Sequence, residues 1–303
     1  MTPPNFQPRL PTLSSTHRRR LKAILDALSA ARSPEHLAND PLSFCHRYRD
    51  PRDQEVMGLV AAALAYGNVK IILRNVTVVV DALGKSPRRF VERFEPQQVL
   101  RRFAGFKHRF TDGRDLCALL FATRTMLEEA DSLGEYFLAG HDPAAPDITG
   151  SLANFTAAIL SFDYGPVFGT SAIPADSYFP FLFPSPAGGS ACKRLCMYLR
   201  WMVRPADGID LGLWPEISPS QLLIPVDAHI QRIARFLGFT ARQQADWKMA
   251  LEITAALRRL DPGDPVKYDF ALAHLGISEG CDGKDRTRCL TCAIAGVCSS
   301  GKG

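Results

Sequence analysis

Apolar residues recur at spacings of three and four along almost the whole chain, and strict alternation of apolar and polar residues is rare. This spacing places apolar side chains on one side of an α-helix and differs from the pattern of a half-buried strand. The sequence therefore predicts an all-α fold. The valine-rich residues 76–83 give the weakest signal, because β-branched runs also occur in strands. Upstream of the C-terminal third, the predicted helices cover residues 18–30, 53–65, 69–83, 116–129, 152–162 and 191–203.

The C-terminal third carries clearer helix boundaries. One helix is predicted in AHIQRIARFLGF, followed by Gly238 at a position that suits a left-handed residue after a helix. A second opens at Thr240 and Gln243, which have capping-box spacing, and ends before the segment DPGDP. The third takes Asp264 as its N-cap, has proline in its first turn and ends at Gly276. Three capped helices thus lead into a cysteine-rich C-terminal segment.

Composition and charge narrow the class of protein. The chain has 303 residues, of which 46% are hydrophobic and 22% charged, so it can form one large globular domain or two closely packed ones. The longest near-apolar run, residues 56–66, is too short to cross a bilayer, and no apolar leader follows the N-terminus. We therefore expect a cytoplasmic protein with disordered residues at both termini, before about residue 13 and after Cys298.

Positive charge is concentrated in three segments. Lys and Arg number 36 against 31 Asp and Glu, a net charge of +5 that only mildly favours a polyanionic partner. Basic residues cluster in residues 18–22, 101–109 and 193–204. Each cluster taken alone is typical of a solvated helix face, whereas several together also agree with a nucleic-acid-binding surface.

Four of the eight cysteines stand close together, as Cys281, Cys289, Cys292 and Cys298, with the spacing C-x7-C-x2-C-x5-C. In a cytosolic protein such a cluster indicates a metal before it indicates disulfides. Structural zinc sites commonly pair two CxxC units, whereas a single CxxC with longer arms suits a [4Fe-4S] cluster. We favour iron–sulfur, with zinc and an unligated cluster as alternatives. Small buried side chains are expected for the other four, Cys45, Cys117, Cys192 and Cys196.

This cysteine spacing, preceded by IPVDAHIQRIARFLGF, resembles the helix-hairpin-helix DNA glycosylase superfamily, which includes endonuclease III. The similarity is closest over residues 180–298. Upstream, EVMGLVAAALAYGN is similar to the early helix that ends at the base-extrusion site. The blocks KHRF, SACKRL, RWMVR and PVKYDF resemble an uncharacterised bacterial branch of the superfamily, described as a domain of unknown function.

The resemblance implies a two-lobed fold with a C-terminal [4Fe-4S] loop and an active-site cleft between the lobes. Residues 1–52 would pack with the C-terminal lobe, residues 227–303, and residues 53–226 would form the other lobe. The chain departs from the family in two places. Seven residues rather than six separate its first two loop cysteines, and PSPAGGS stands where the family's hairpin reads like LPGVG.

Asp227 has two compatible roles. It follows a proline and precedes a helix, so its carboxylate can cap the backbone N–H groups there. The resemblance implies that it is also the catalytic aspartate, which would stabilise the oxocarbenium-like charge as a base leaves or accept a proton from the nucleophile.

Lys193 is the second catalytic candidate. With Arg200 and Arg204 it falls at i, i+7 and i+11, which predicts one basic face directed at DNA phosphates. Alternatively its amine attacks the sugar C1′ and forms a Schiff base, which would make the protein a glycosylase with abasic-site lyase activity. Its separation from Asp227, 34 positions, is longer than is usual in the family.

The resemblance also implies further DNA contacts, and for several of these residues a purely structural role is the alternative. Tyr66 either stacks on a base or belongs to the core, and Trp214 either contacts the extruded base or is buried. His229 and Arg232 would position Asp227 or bind phosphate. The glycine turn is either an anion-binding turn or an ordinary loop. The complete expected set is Tyr66, Asn68, Gly188, Gly189, Ser190, Arg194, Arg200, Arg204, Trp214, His229 and Arg232.

The expected function is excision of a damaged or modified base from double-stranded DNA by a monomeric enzyme associated with the nucleoid. In this view the cluster is structural or redox-sensing and presents Lys284, Arg286 and Arg288 to phosphates. Two alternatives remain. The protein binds nucleic acid without catalysis on the same scaffold, or it acts on RNA.

Overall fold

The computed structural model describes residue 8 and residues 14–300. These residues form the α-helices α1 (Ser15–Ala30), α2 (Pro51–Ala63), α3 (Val69–Leu83), α4 (Pro87–Glu92), α5 (Pro96–Arg102), α6 (Gly113–Glu129), α7 (Leu133–Ala139), α8 (Thr149–Leu160), α9 (Gly165–Phe168), α10 (Phe179–Leu182), α11 (Lys193–Val203), α12 (Ala228–Phe236), α13 (Trp247–Arg258), α14 (Asp269–Ile277) and α15 (Arg286–Cys289). Short 3-10 helices cover Pro34–Asn39, Pro41–Arg47, Pro186–Gly188 and Pro219–Gln221. Two antiparallel strands, β1 (Lys107–His108) and β2 (Thr111–Asp112), form the one small sheet of the described residues.

The predominantly helical fold confirms the predicted class, including the valine-rich run inside α3. Asn68 caps the start of α3 by accepting a hydrogen bond from the Lys70 N–H, and Gly84 ends it with a φ of 70°. Val76 and Val79 point into the core on one side of the helix. Burial of that apolar face outweighs the weak strand preference of valine. None of the helices in the described ranges is long and apolar enough to cross a membrane.

The centre of the molecule is α2, which is buried on almost every side. Its sequence, VMGLVAAA, is apolar all around the helix, and such a helix is stable only inside a core. It packs against α11 at Gly58, where an added Cβ would lie 2.6 Å from the Met202 Cε. The Tyr198 hydroxyl of α11 also donates to the Glu55 carbonyl of α2, at 3.2 Å. This close contact fixes where the N-terminal end of α11 emerges.

The two ends of the described chain meet. Helix α1 packs on α14, and the Tyr268 hydroxyl donates to Asp26 Oδ1 at 2.8 Å. The Lys267 ammonium lies between the Asp26 and Asp261 carboxylates, at 2.9 and 2.5 Å. The last described residues are also held, since the Ser299 N–H donates to the Phe236 carbonyl at 2.9 Å. Most residues for which we expect terminal disorder lie outside the described ones, but residues 299 and 300 contradict that expectation.

Two predicted helix starts are wrong. Helix α13 begins at Trp247 rather than near Thr240, and the side chain of Asp246 caps it by accepting from the Met249 N–H at 2.8 Å. Thr240 instead donates its hydroxyl to the buried Glu252 carboxylate, at 2.5 Å. The hydroxyl oxygen also accepts from the Arg242 N–H at 3.1 Å, but it holds only a local turn, and no helix starts there.

Asp264 is likewise not a helix N-cap, because its carboxylate accepts from the Arg204 guanidinium at 2.9 Å. Turns follow it, and α14 begins only at Asp269. In both cases a long-range polar partner overrides a correct local signal.

Candidate functional site

A cleft of about 880 Å3 opens between the starts of α3 and α12, the sides of α11 and α14, and the segment around residues 35–41. It is the point at which the N-terminal segment, the central helices and the C-terminal helices meet. Its ionisable lining side chains are Glu35, His36, Asp40, Lys70, Lys193, Arg200, Asp227, His229, Asp269 and His274.

Asp227 uses its two carboxylate oxygens differently. Oδ1 accepts hydrogen bonds from the His229 and Ile230 N–H groups, at 2.9 and 2.8 Å, and so caps α12. Oδ2 lies 3.7 Å from the Lys193 Nζ. The capping role predicted from sequence is therefore confirmed. The same cap fixes the carboxylate so that its second oxygen stays available at the cleft.

Lys193 begins α11 directly after a strained residue. Cys192 has a φ of 46°, in the left-handed region that residues with a Cβ rarely adopt. Its thiol donates to the Pro184 and Ser190 carbonyls, at 3.1 and 3.3 Å, and these contacts hold the turn. Burial raises the pKa of the Cys192 thiol to about 12, so this side chain stays a neutral thiol. The turn directs Lys193, whose side chain is 36% exposed, towards Asp227.

Behind this pair lies a buried cluster of opposite charges. The Arg200 guanidinium pairs with the Asp210 carboxylate at 3.1 Å and also with that of Asp269. The pKa of Asp269 is raised to about 6, because burial and the nearby Asp227 carboxylate outweigh the opposing effect of Arg200. Asp227 and Asp269 are thus two of the four carboxylates in the cleft wall, and the Asp269 side chain is the more buried of the two.

The prediction of one basic face on α11 is wrong for Arg200 and Arg204, and Arg194, expected separately to contact DNA, is also buried. Arg200 is 3% exposed and is bound by carboxylates, and Arg204 pairs with Asp210 and Asp264. Arg194 is 6% exposed and donates to the carbonyls of Ala63 and Phe181. The expected spacing is present, but acidic or carbonyl groups distant in sequence cover that face, and only Lys193 is left towards solvent.

The glycine turn also differs from the anion-binding turn that the resemblance implies. The Gly188 N–H donates to the Ser185 carbonyl at 3.1 Å, and the Gly189 N–H donates to Pro186 at 2.9 Å. The Ser190 hydroxyl accepts from the Cys192 N–H at 3.2 Å. Because the turn itself uses both glycine N–H groups, they do not form a free cradle for a phosphate.

Tyr66 and Trp214 pack inside the protein, which is the structural alternative that the sequence offered for each of them. The Tyr66 hydroxyl donates to the His108 carbonyl at 2.8 Å, and its ring packs against the rings of His108 and Phe181. Trp214 is 2% exposed, and its indole N–H donates to the Glu55 carboxylate at 2.6 Å. The predicted base contacts of both residues are therefore wrong in this structure, since neither aromatic ring lines the cleft.

Asn68 and His229 do line the cleft. Asn68 is exposed at the start of α3, beside Gly67 with a φ of 103°. The His229 Nδ1 lies 3.1 Å from the Arg232 guanidinium, which also donates to the Cys281 carbonyl. A Cβ at Gly276 would overlap the His229 ring, so the α14 backbone packs directly against the His229 side chain of α12. Arg232 thus links His229 to the cysteine segment and is not free to bind phosphate.

Sequence reasoning missed six ionisable residues of the cleft: Glu35, His36, Asp40, Lys70, Asp269 and His274. The rings of His36 and His274 meet edge to face, with centroids 6.0 Å apart. His274 is 5% exposed, and its Nε2 has no hydrogen-bond partner among the described residues. The proline after Asp40 is a local signal, but it indicates only that Asp40 caps a helix. Asp40 does cap the 3-10 helix that follows it. The two histidines have no motif around them.

The cysteine segment forms a separate small site. Cys281, Cys289 and Cys292 line one cavity of about 190 Å3, and Cys298 is 6% exposed. All eight cysteines of the chain are free thiols, and Cys45, Cys117, Cys192 and Cys196 are buried as predicted. Across residues 14–300, no three Cys, His, Asp or Glu side chains are close enough together to hold a metal ion. The cluster geometry expected from sequence is therefore not formed by the side chains as they stand.

Basic residues of the cysteine segment fall into two groups. Lys284 and Arg286 are exposed. Arg288 is engaged by its own loop, because it pairs with Asp285 at 3.0 Å and donates to the Gly280 carbonyl at 2.8 Å. All three cations expected to face phosphates are thus exposed, and Arg288 is in addition held by its own loop.

Comparison with known proteins adds one finding. A protein family described as a protein of unknown function, DUF2400, matches residues 40–278, a span that contains Lys193, Asp227 and Asp269 but ends before the cysteine segment. No curated protein and no solved structure matches the chain. The family description names no activity, so the resemblance to the glycosylases stays a prediction. Because the match covers well over half of its residues, the chain belongs to the DUF2400 family.

Proposed function

We propose that the protein is a two-lobed helix-hairpin-helix glycosylase that excises a damaged or modified base from DNA. The observation that carries this proposal is the distance of 3.7 Å between Lys193 Nζ and Asp227 Oδ2 in the cleft wall. The two residues lie 34 positions apart and begin two different helices. A carboxylate and an amine converging in a cleft are the two groups that base excision through a covalent intermediate requires.

Asp227 would stabilise the transition state electrostatically. Two backbone N–H groups hold its Oδ1, so Oδ2 keeps its position without reorganising as the reaction proceeds. An anionic oxygen beside C1′ favours the oxocarbenium-like charge that develops as the glycosidic C1′–N bond breaks. The nucleotide must be flipped out of the duplex for its C1′ to reach this oxygen.

Lys193 would act as the nucleophile. Its ammonium first transfers a proton to Asp227 Oδ2, 3.7 Å away, and Oδ2 passes this proton to the departing base, so the carboxylate is anionic again as charge develops at C1′. The neutral amine then forms a bond to C1′ as the C1′–N bond to the base breaks, and the base leaves after taking up a proton. Opening of the sugar ring places a proton on O4′ and converts the C1′–amine bond to a Schiff base, from which strand cleavage by β-elimination follows.

The cysteine segment would hold a [4Fe-4S] cluster that stabilises the surrounding loop. Four thiols in eighteen residues are the soft donor set that such clusters use, and three of them already line one cavity. Lys284 and Arg286 on this loop would then face the phosphate backbone. Iron and acid-labile sulfide in the purified protein would support this part, whereas stoichiometric zinc would replace the cluster with a zinc site.

Borohydride trapping tests the nucleophile. We expect wild-type protein to form a covalent adduct with duplex DNA that carries an abasic site or an oxidised base, and Lys193→Ala to lose it. Lys70→Ala is the matched control, because Lys70 lines the same cleft. An adduct that persists in Lys193→Ala and disappears in Lys70→Ala would show that the nucleophile is misassigned.

The second candidate is a nucleic-acid-binding protein without catalysis. It is favoured by the inward-facing Arg200 and Arg204 and by the glycine N–H groups that the turn consumes. Wild-type protein that binds DNA but gives neither adduct nor free base on any substrate would support this candidate. The same assay on RNA oligonucleotides decides between DNA and RNA as the partner.

A further inference from the structure

A second concave surface lies away from the cleft, between α4 and α5. This α4–α5 groove has a volume of about 880 Å3 and contains one acidic lining residue, Glu95. Its basic lining residues are Lys85, Arg89, Arg93, Arg101 and Arg102, all of them exposed. The clustering of residues 101 and 102 was visible in the sequence, but their meeting with three cations in and beside α4, Lys85, Arg89 and Arg93, was not.

These five cations have no carboxylate partner. Among the ion pairs within residues 14–300, none involves a basic residue of the α4–α5 groove. Arg88 shows the contrast, because on the same helix it pairs with Glu92 at 2.6 Å and with Asp131 at 3.5 Å. The fold therefore neutralises one side of α4 and leaves like charges unpaired on the other, a distribution that attracts a polyanion.

The α4–α5 groove and the cleft lie at opposite ends of α3. Residues 68–73 at the start of α3 line the cleft, and Leu83 at its end lines the groove. A helix of 15 residues spans about 21 Å from its first to its last residue. That length corresponds to about six base pairs of duplex DNA at about 3.4 Å each.

The solvent side of α3 connects the two sites. Lys70, Arg74, Val78 and Asp81 follow one another at helical spacing and are exposed, and the exposed Lys85 lies just beyond the helix end at Gly84. Three of these five positions are basic and one is acidic. A phosphate backbone lying along this side would thus meet cations near the cleft, midway and at the groove.

We propose that the α4–α5 groove binds the phosphate backbone of the same DNA duplex whose reacting nucleotide occupies the cleft, about six base pairs away. The inference rests on the proposed function for what occupies the cleft. A concave row of arginines suits the ridge of one nucleic-acid strand, and guanidinium groups match phosphate oxygens in a bidentate manner. A flat anionic membrane surface would contact the rim of the groove but not its lining.

The salt dependence of binding to undamaged duplex DNA tests the groove without any chemistry. Each phosphate contact contributes about 0.9 to the slope of log K against log salt concentration. We expect Arg89→Gln/Arg101→Gln to lower the magnitude of this slope by about 1.8. The charge-matched control is Arg52→Gln/Arg114→Gln, which removes two exposed arginines already paired with carboxylates and should leave the slope unchanged. Equal slopes for the two double variants would overturn the proposal. It would also be overturned if the groove variant kept DNA binding but lost binding to anionic phosphatidylserine vesicles.

Shortening the duplex tests the spacing. With an abasic-site analogue fixed in the sequence, the affinity difference between wild type and groove variant should vanish when one flank falls below about six base pairs. A difference that is independent of both flank lengths would show that groove and cleft do not share one duplex. Lys193→Ala should retain the full slope and the flank dependence while losing the borohydride adduct, so failure of the catalytic proposal and failure of the groove are told apart.

Discussion

The two ends of α11 carry basic residues on the same side of one helix, yet their surroundings are opposite. At the N-terminal end Lys193 is 36% exposed and meets one carboxylate at 3.7 Å. Towards the C-terminal end Arg200 is 3% exposed and is held by two carboxylates, Asp210 and Asp269. The difference shows that helical spacing determines which residues share a face, whereas distant acidic residues decide whether that face is a structural ion cluster or an open, reactive site.

The largest effect on stability is expected from removing the cation of the buried ion cluster around Arg200. Arg200→Leu leaves the Asp269 carboxylate buried without its ionic partner, and we expect the free energy of unfolding to fall by about 3–5 kcal/mol. Lys193→Met at the exposed end should change it by less than about 1 kcal/mol, because solvent screens that pair. Urea unfolding at pH 7, followed by circular dichroism, measures both. Equal losses for the two variants would contradict the comparison.

The next largest effect is a loss of stability at low pH, and it involves His274 in the cleft wall. Burial, with the nearby Arg32, lowers the pKa of His274 to about 4, below the usual value of 6.5. Below pH 6.5 the unfolded chain binds a proton that the folded protein does not, so stability falls as the pH drops towards 4. The loss reaches at most about 3 kcal/mol, and His274→Gln should remove most of it. Unfolding curves between pH 4 and 7 test this.

The variant His46→Gln is the control for the titration, because His46 is an exposed residue outside the cleft, where its Nε2 contacts the Ile209 carbonyl at 2.8 Å. It should keep the full loss of stability on acidification. An unchanged pH dependence in His274→Gln would mean that other groups cause the acid sensitivity and that the buried imidazole does not.

The smallest effect on stability is expected at Asp227, where two substitutions distinguish the capping role of Oδ1 from the charge on Oδ2. Asparagine also caps helices, so Asp227→Asn should change the free energy of unfolding by less than about 0.5 kcal/mol, whereas Asp227→Ala should lower it by about 1 kcal/mol. If the charge on Oδ2 is catalytic, both variants should release base at least about 100-fold more slowly in single-turnover assays. Full base release by Asp227→Asn would remove the carboxylate from the mechanism.

The sequence was sufficient for features that depend on local chemistry. The limits of α3, the cap by Asp227 and the burial of the four scattered cysteines all follow from spacing and composition. Lys193 could be selected as a candidate, but not its distance from Asp227, because that distance depends on how two helices pack. Apart from the helix-cap signal at Asp40, residues 35–41 had no feature that indicated a cleft, since a cleft wall needs no motif of its own.

Failures of prediction share one physical cause. The sequence predicted a local role for three polar side chains, with Thr240 and Asp264 as helix caps and Arg200 on an exposed basic face. In the structure each of these side chains is bound by a partner from elsewhere in the chain. Polar groups that become buried must be satisfied, and the fold rather than the sequence order supplies their partners. The unpaired cations of the α4–α5 groove are the reverse case, in which the fold supplies none.

The contact at Gly276 has a mechanical consequence. Because α12 and α14 already touch there through the His229 ring, they cannot approach each other further at this end of the cleft. The contact is a fixed pivot, and any narrowing of the cleft around a substrate must come from the opposite rim, where residues 35–41 face the start of α3. Side chains larger than glycine at position 276 would therefore set the width of the opening and not merely the stability of the helix pair.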